Sequence, residues 1–148
     1  MSARVVALHV RPQKGDDPRP VPSVTARIGG GLEGDRHGHR QTRSVLVIDR
    51  ATCDAFGLAP GELREQITIE GLPEVTRLAP DTDLRIGGVT LRVNGECEPC
   101  THIGGLLGQA DVEAFRLSLA GRRGALCTVV AADGPIHVGD GVEVLVRA

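Results

Sequence analysis

Brief runs of β-branched and apolar residues recur along this chain, set between turn residues. They fall at residues 4–10, 23–28, 44–49, 66–70, 83–86, 89–94, 125–131 and 142–146. Several alternate with period two, the pattern of a strand with one covered face. In Val89-Thr90-Leu91-Arg92-Val93, for instance, Val89, Leu91 and Val93 share one face while Thr90 and Arg92 share the other. Gly87-Gly88 and Asp133-Gly134 lie between such runs. Residues tolerant of positive φ suit tight turns, so both steps predict hairpins. Strands this closely spaced, with few helices between them, predict a mainly β fold: a largely antiparallel sheet closing into a barrel rather than βαβ repeats.

The helical signals are short. Asp49 is placed to cap a helix from Arg50 to about Phe56, ended by Gly57. Residues 110–119 set Val112, Phe115 and Leu119 on one face, with Asp111 and Glu113 in the first turn and Gly121 just past the end. Residues 101–107 allow a third short helix. Residues 13–22 hold three of the nine prolines and read as an exposed loop.

At 148 residues and 41% apolar composition, the chain is one domain's worth and needs no disulfides to form a core. Its only aromatic residues are Phe56 and Phe115, and its formal net charge is −2. It therefore lacks the stacking rings and basic surface of a nucleic-acid binder. No apolar run approaches the roughly 20 residues that span a bilayer, and no secretory h-region opens the chain. Four cysteines in 148 residues do not make a disulfide scaffold. A reduced, cytoplasmic protein is expected.

Two clusters carry chemistry. The first is Gly29-Gly30-Gly31-Leu32-Glu33-Gly34-Asp35-Arg36-His37-Gly38-His39-Arg40, followed by Arg43. Four glycines in the first six residues require a loop. Either its backbone N–H groups approach an anion beside the arginines, or it is a glycine-rich connection with solvated charges. The second cluster is Glu96-Cys97-Glu98-Pro99-Cys100-Thr101-His102. A Cys-x-x-Cys pair followed by His suits zinc, a dithiol, or one reactive thiolate. A zinc site needs about four ligands, and no second Cys-x-x-Cys exists. Cys100, just before a possible helix, is the preferred reactive residue, because a helix N-terminus favours the thiolate. Cys53 and Cys127 read as core cysteines. Arg64, Thr68 and Arg122-Arg123-Gly124 either face an anion or lie in an ordinary turn and strand.

In order along the chain, these clusters resemble the MOSC domain, found at the C-terminus of molybdenum cofactor sulfurases and as small bacterial proteins. The matching segments are Gly34-Asp35-Arg36-His37 with Arg43-Ser44-Val45-Leu46, the stretch from Gly61 to Gly71, Glu96-Cys97-Glu98-Pro99-Cys100, Arg123-Gly124, and the glycine-rich turns near the C-terminus. Pro99-Cys100 and the Gly-Asp-x-His step are the most specific. The family often has Asn before Ile-Thr, where this chain has Gln66. The resemblance implies a β-barrel that binds molybdenum cofactor, with Cys100 as molybdenum ligand or persulfide carrier. It implies that Gly34, Asp35, His37, Arg64, Thr68 and Arg123 hold the pterin or substrate, with Glu96, Cys97 and His102 shielding the thiol. It also suggests sulfur transfer to metal centres, or reduction of N-hydroxylated compounds. No sulfurase, flavin or iron–sulfur segment accompanies the domain here, so a sulfur-donor or electron-transfer partner is expected. Pyridoxal phosphate, also associated with such domains, is normally held on a lysine. The sole lysine, Lys14, lies outside every cluster, which argues against a Schiff base. The alternatives are a non-catalytic module with a structural zinc or thiol cluster at Cys97 and Cys100, or a barrel that docks on a larger enzyme.

Overall fold

The computed structural model describes residues 3–72 and 74–145. In chain order the strands are β1 (Ala3–Val10), β2 (Arg19–Pro20), β3 (Ser23–Val24), β4 (Val45–Asp49), β5 (Ile67–Glu70), β6 (Asp83–Ile86), β7 (Val89–Glu96), β8 (Ala125–Ala132), β9 (Ile136–His137) and β10 (Gly141–Leu145). The helices are α1 (Arg50–Ala55), α2 (Thr101–Leu106) and α3 (Val112–Leu119). Seven strands follow one another in the order β10-β6-β7-β8-β4-β5-β1, and β1 pairs back onto β10, with Ala3 opposite Val142. The expected barrel is therefore present and closed. Val146, the expected end of the last strand, lies outside the described residues.

The sequence alternation explains how the barrel has two cores. On β4, Val45 and Val47 point into the barrel with Val5, Leu8, Ile67, Ile69, Leu84, Leu91 and Val129. Leu46 and Ile48 point outward, into a second core with Cys53, Leu63, Ile103, Phe115, Leu119 and Leu126. All five β4 residues are thus buried. The two phenylalanines meet edge to face in the outer layer, Phe56 against Phe115 at 5.5 Å, and the Arg122 guanidinium lies 5.9 Å from the Phe56 ring centre.

The helices begin and end close to where capping residues put them. Asp49 Oδ2 accepts from Thr52 N at 3.1 Å at the start of α1, and Asp111 Oδ1 accepts from Ala114 N at 3.0 Å at the start of α3. Helix α1 joins β4 to β5, which pair in parallel, Val47 opposite Ile67. This is the one parallel pairing among the described strands.

Two expectations need correction. The predicted strand over residues 23–28 shrinks to Ser23–Val24, paired with β9, because the chain then turns through an isolated Ala26–Leu32 bridge into the glycine-rich loop. Gly87-Gly88 does turn a hairpin between β6 and β7, but Asp133-Gly134 does not join paired strands. Instead Asp133 N donates to Gly88 O at 2.7 Å, so the second turn sits on the first.

Candidate anion and thiol site

The outer face of the barrel carries a cleft of about 160 Å³, with Leu46 and Leu126 on the strands, Gln66 just before β5, and Arg11, His37, Arg40, Arg43, Arg64 and Arg123 around them. Five guanidinium groups and no carboxylate line it, so the space favours an anion. A larger surface hollow of about 360 Å³ is bounded by Asp49, Glu74, Arg77 and Arg122 among others. It mixes both signs of charge and contains no cysteine.

Asp35 builds one wall without lining it. Its Oδ1 accepts from Arg11 N at 2.9 Å, and its Oδ2 accepts from His37 N and Gln66 Nε2, each at 3.1 Å. Gln66 Oε1 in turn accepts from Leu46 N at 2.7 Å. One buried carboxylate thus stitches the Gly34–Arg40 turns to β1, β4 and β5. The His37 ring makes no hydrogen bond among the described residues, its Nδ1 lying 3.9 Å from Asp35 Oδ2. Burial lowers its pKa to about 4, and the charges of Arg40, Arg36 and Arg11 add to this against the pull of Asp35. The ring is neutral at pH 7.

Arg43 and Arg64 both adopt left-handed backbone, with φ of 58° and 66°. Non-glycine residues enter this region at a cost and only where neighbours hold them. Arg43 N donates to Asn94 Oδ1 at 2.9 Å, and that oxygen also accepts from Thr128 Oγ1 at 3.0 Å. Asn94 lies at the register shift between Val93 and Gly95, so a bulge in β7 supplies the anchor. Arg64 Nη1 donates to Asp16 O at 3.1 Å, and Nη2 lies 3.9 Å from Asp17 Oδ1, while its buried Nε has no protein partner. The loop over residues 13–22 therefore reaches the site, and part of it, Arg19–Pro20, pairs with β1.

Arg123 is 7% exposed, and its buried Nη1 also lacks a partner. Burial lowers its pKa, opposed by the nearby Cys97, Glu65, Cys100 and Cys53. The following residue has to be glycine: at Gly124 φ is +100° and a Cβ would fall 2.5 Å from Val47 O. Gly124 N donates to Thr76 Oγ1 at 2.9 Å, and Gly124 O accepts from Cys97 N at 2.9 Å. The same glycine thus leads Arg123 into the cleft and fixes the cysteine turn beside it.

The cysteines fall into two pairs. Cys53 and Cys127 are fully buried, and burial pushes the Cys127 thiol up to about 12 and the Cys53 thiol higher still. Cys97 is half-buried against the outer core, and burial raises its pKa while Arg123 and Arg43 pull it down. Cys100 is exposed, in extended backbone at the N-cap of α2, and its side chain makes no capping bond. Glu96 and His102 are exposed on either side. Among the described residues no three His, Cys, Asp or Glu side chains converge as a metal site requires, so the four ligands of structural zinc are not assembled around the Cys-x-x-Cys turn.

Of the residues singled out from sequence, His37, Arg64 and Arg123 meet in the cleft, Asp35 stands behind it, and Cys97 and Cys100 lie near Arg123. Gly34 is exposed, with φ of +83°, and shapes the turn that presents Asp35. Thr68 does not line the cleft. It shares the outward face of β5 with Gln66, but it is fully buried and its hydroxyl donates to Glu65 Oε2 at 2.8 Å. The glycine loop is no backbone cradle either: the N–H groups of Gly29, Gly30, Gly31 and Gly38 donate to Val129, Arg27, Gly38 and Asp35 carbonyls. The cationic groups that line the cleft are side chains instead. Sequence reasoning missed Arg11, whose place at the end of β1 was its only signal, and undervalued Gln66.

A closed barrel bearing an arginine cleft beside a Cys-x-x-Cys turn defines a class of protein suited to an anionic ligand and thiol chemistry. The family follows from sequence: residues 33–143 match the MOSC domain, and the chain belongs to that family. No curated protein matches it in sequence. Among solved structures, the YuaD protein from Bacillus subtilis shares 23% identity and superimposes with a TM-score of 0.85, over 97% of this chain and 96% of that one. YiiM from Geobacillus stearothermophilus gives 17% and 0.74 over 98% and 76% of the two chains. YiiM from Escherichia coli gives 20% and 0.68 over 98% and 71%. At these identities the likeness is one of fold.

Proposed function

We propose that this MOSC protein binds molybdenum cofactor, with the cofactor's phosphate in the arginine cleft and Cys100 as a thiolate ligand to the metal. The observation that carries the reading is the pair of buried, unpartnered donors, Arg64 Nε and Arg123 Nη1, in a cleft lined by five arginines. Leaving such groups unsatisfied costs about 1–3 kcal/mol each, more for charged ones, and a bound oxyanion removes that penalty. The donor set fits the group: guanidinium forks suit a phosphate, and a thiolate suits a soft metal. Arg64 and Arg123 would hold the anion, Arg11, Arg40 and Arg43 would supply field, and Cys97 would screen the inner side of Cys100. When bound, the cofactor supplies a redox-active metal, which suits reduction of N-hydroxylated compounds with electrons from a partner protein. A pyridoxal phosphate Schiff base does not fit, since Lys14 is exposed and outside the cleft.

Protein purified from a cofactor-competent host is expected to carry molybdenum and pterin. Arg123→Met should lower both, and Cys100→Ser should lower metal retention. Wild-type protein without either component would overturn the reading. One observation favours a second role for the same thiol: Cys100 is exposed, within reach of another protein. Its thiolate could attack the outer sulfur of a donor persulfide, forming the Cys100 persulfide and releasing the donor thiolate. Incubation with a persulfide-loaded cysteine desulfurase would then add one sulfur atom at Cys100, detected by peptide mass spectrometry. Addition at Cys53 or Cys127 alone would contradict it.

A further inference from the structure

His37 is the one group lining the cleft that is uncharged at neutral pH and able to gain charge nearby in pH. Its place is fixed from two sides. Asp35 Oδ2 holds its backbone N–H at 3.1 Å, and its own carbonyl accepts from Arg40 N at 3.0 Å. The charges around it are unbalanced. Arg36 and Arg40 come from its own loop, Arg11 from the end of β1, and Arg43, Arg64 and Arg123 from across the cleft, against the single carboxylate of Asp35. That carboxylate already accepts three hydrogen bonds from Arg11, His37 and Gln66. Without an anion bound, burial and cationic repulsion keep the ring neutral. An entering dianion reverses the local field, and Asp35 stands 3.9 Å from Nδ1, ready to face an imidazolium.

We propose that the cleft takes up its anion together with one proton, and that His37 is the residue that receives it. The inference rests on the anion-binding reading above and deepens it: the ligand is an oxyanion whose binding tightens as pH falls, and His37 is a specificity-determining residue that favours dianions over monoanions. The proton comes from solvent, the ring becomes imidazolium, and the added positive charge offsets the second negative charge of the ligand. Opposite charges within about 4–6 Å raise a histidine pKa by roughly 1–3 units.

Sulfate is the probe, because it keeps its two charges throughout the range tested. Full-length protein is titrated with sulfate from pH 8 to pH 5, and the His37 ring is followed by NMR with and without the ion over a range extended to about pH 3, so that the ion-free midpoint near 4 is also read. The His37 midpoint should rise by about two units with sulfate bound, and sulfate should bind about tenfold more tightly at pH 5 than at pH 8. His37→Asn should flatten that dependence while leaving the other histidine signals in place. Sulfate binding that is flat across this range, with an unmoved His37 midpoint, overturns the inference and leaves the cleft reading standing. If sulfate does not bind at any pH, both fail. A dependence that survives in His37→Asn assigns the proton to another group and also overturns it.

Discussion

The side-chain amide of Gln66 donates to Asp35 Oδ2 at 3.1 Å while its oxygen accepts from Leu46 N at 2.7 Å, so the residue just before β5 couples the glycine-rich turns to the β4 backbone. The cleft exists because that link holds its wall against its floor. Asp35→Ala leaves the Arg11 and His37 N–H groups and the Gln66 amide without their acceptor. A loss of about 2–4 kcal/mol in unfolding free energy is expected, measured by urea denaturation. A loss under about 1 kcal/mol would mean that water replaces the carboxylate and that the stitching is weaker than the geometry implies.

Arg123 separates function from stability. Its guanidinium is buried with one nitrogen unpartnered, an arrangement that an apolar side chain of similar length relieves. Arg123→Met is expected to keep or raise the thermal midpoint while lowering sulfate affinity at least tenfold. Stability lost with affinity intact would make Arg123 a structural residue.

The four thiols should label in the order of their burial. Cys100 is exposed, Cys97 is half-buried with its thiol pushed up by burial, and Cys53 and Cys127 are enclosed. Iodoacetamide at neutral pH should modify Cys100 first and Cys97 more slowly. Cys53 and Cys127 should react only after denaturant is added. Peptide mapping that finds Cys97 ahead of Cys100 would reverse their assigned roles.

Acid should destabilise the fold through His37. Its folded pKa of about 4 lies below the ordinary value of 6.5, so between these limits the unfolded chain binds the proton and the folded chain does not. Stability therefore falls as pH drops from about 6.5 to about 4, and the full penalty is reached below that window. The wild-type urea midpoint should fall more steeply than that of His37→Asn as pH drops through this window. Parallel curves would show that His37 does not titrate in this range.

Much of this architecture is readable from residue order, because period-two alternation and capping residues act locally. Residues 44–49 announce a strand, Asp49 a helix start, and Gly87-Gly88 a hairpin, since each depends on neighbours in sequence. What escaped depends on contacts distant in sequence. Thr68 has the right face for the cleft, yet Glu65 and the α1 side cover it, which no periodicity reveals. Asp133-Gly134 has hairpin chemistry, but its following strand finds β3 as partner. The glycine loop looks free to bind phosphate until its N–H groups meet Val129 and Arg27. Arg11 joins the site only because the pairing of β1 with β5 brings the chain just after β1 beside Gln66 and Asp35.

In the proposed function, Cys100 sulfur binds the metal of a cofactor whose phosphate lies in the arginine cleft. Molybdenum X-ray absorption spectroscopy on protein loaded in a cofactor-competent host tests it most directly, comparing wild type with Cys100→Ser. The variant is expected to lose one sulfur scatterer from the molybdenum shell, with a low-atomic-number ligand in its place. Identical sulfur shells in the two proteins would contradict it.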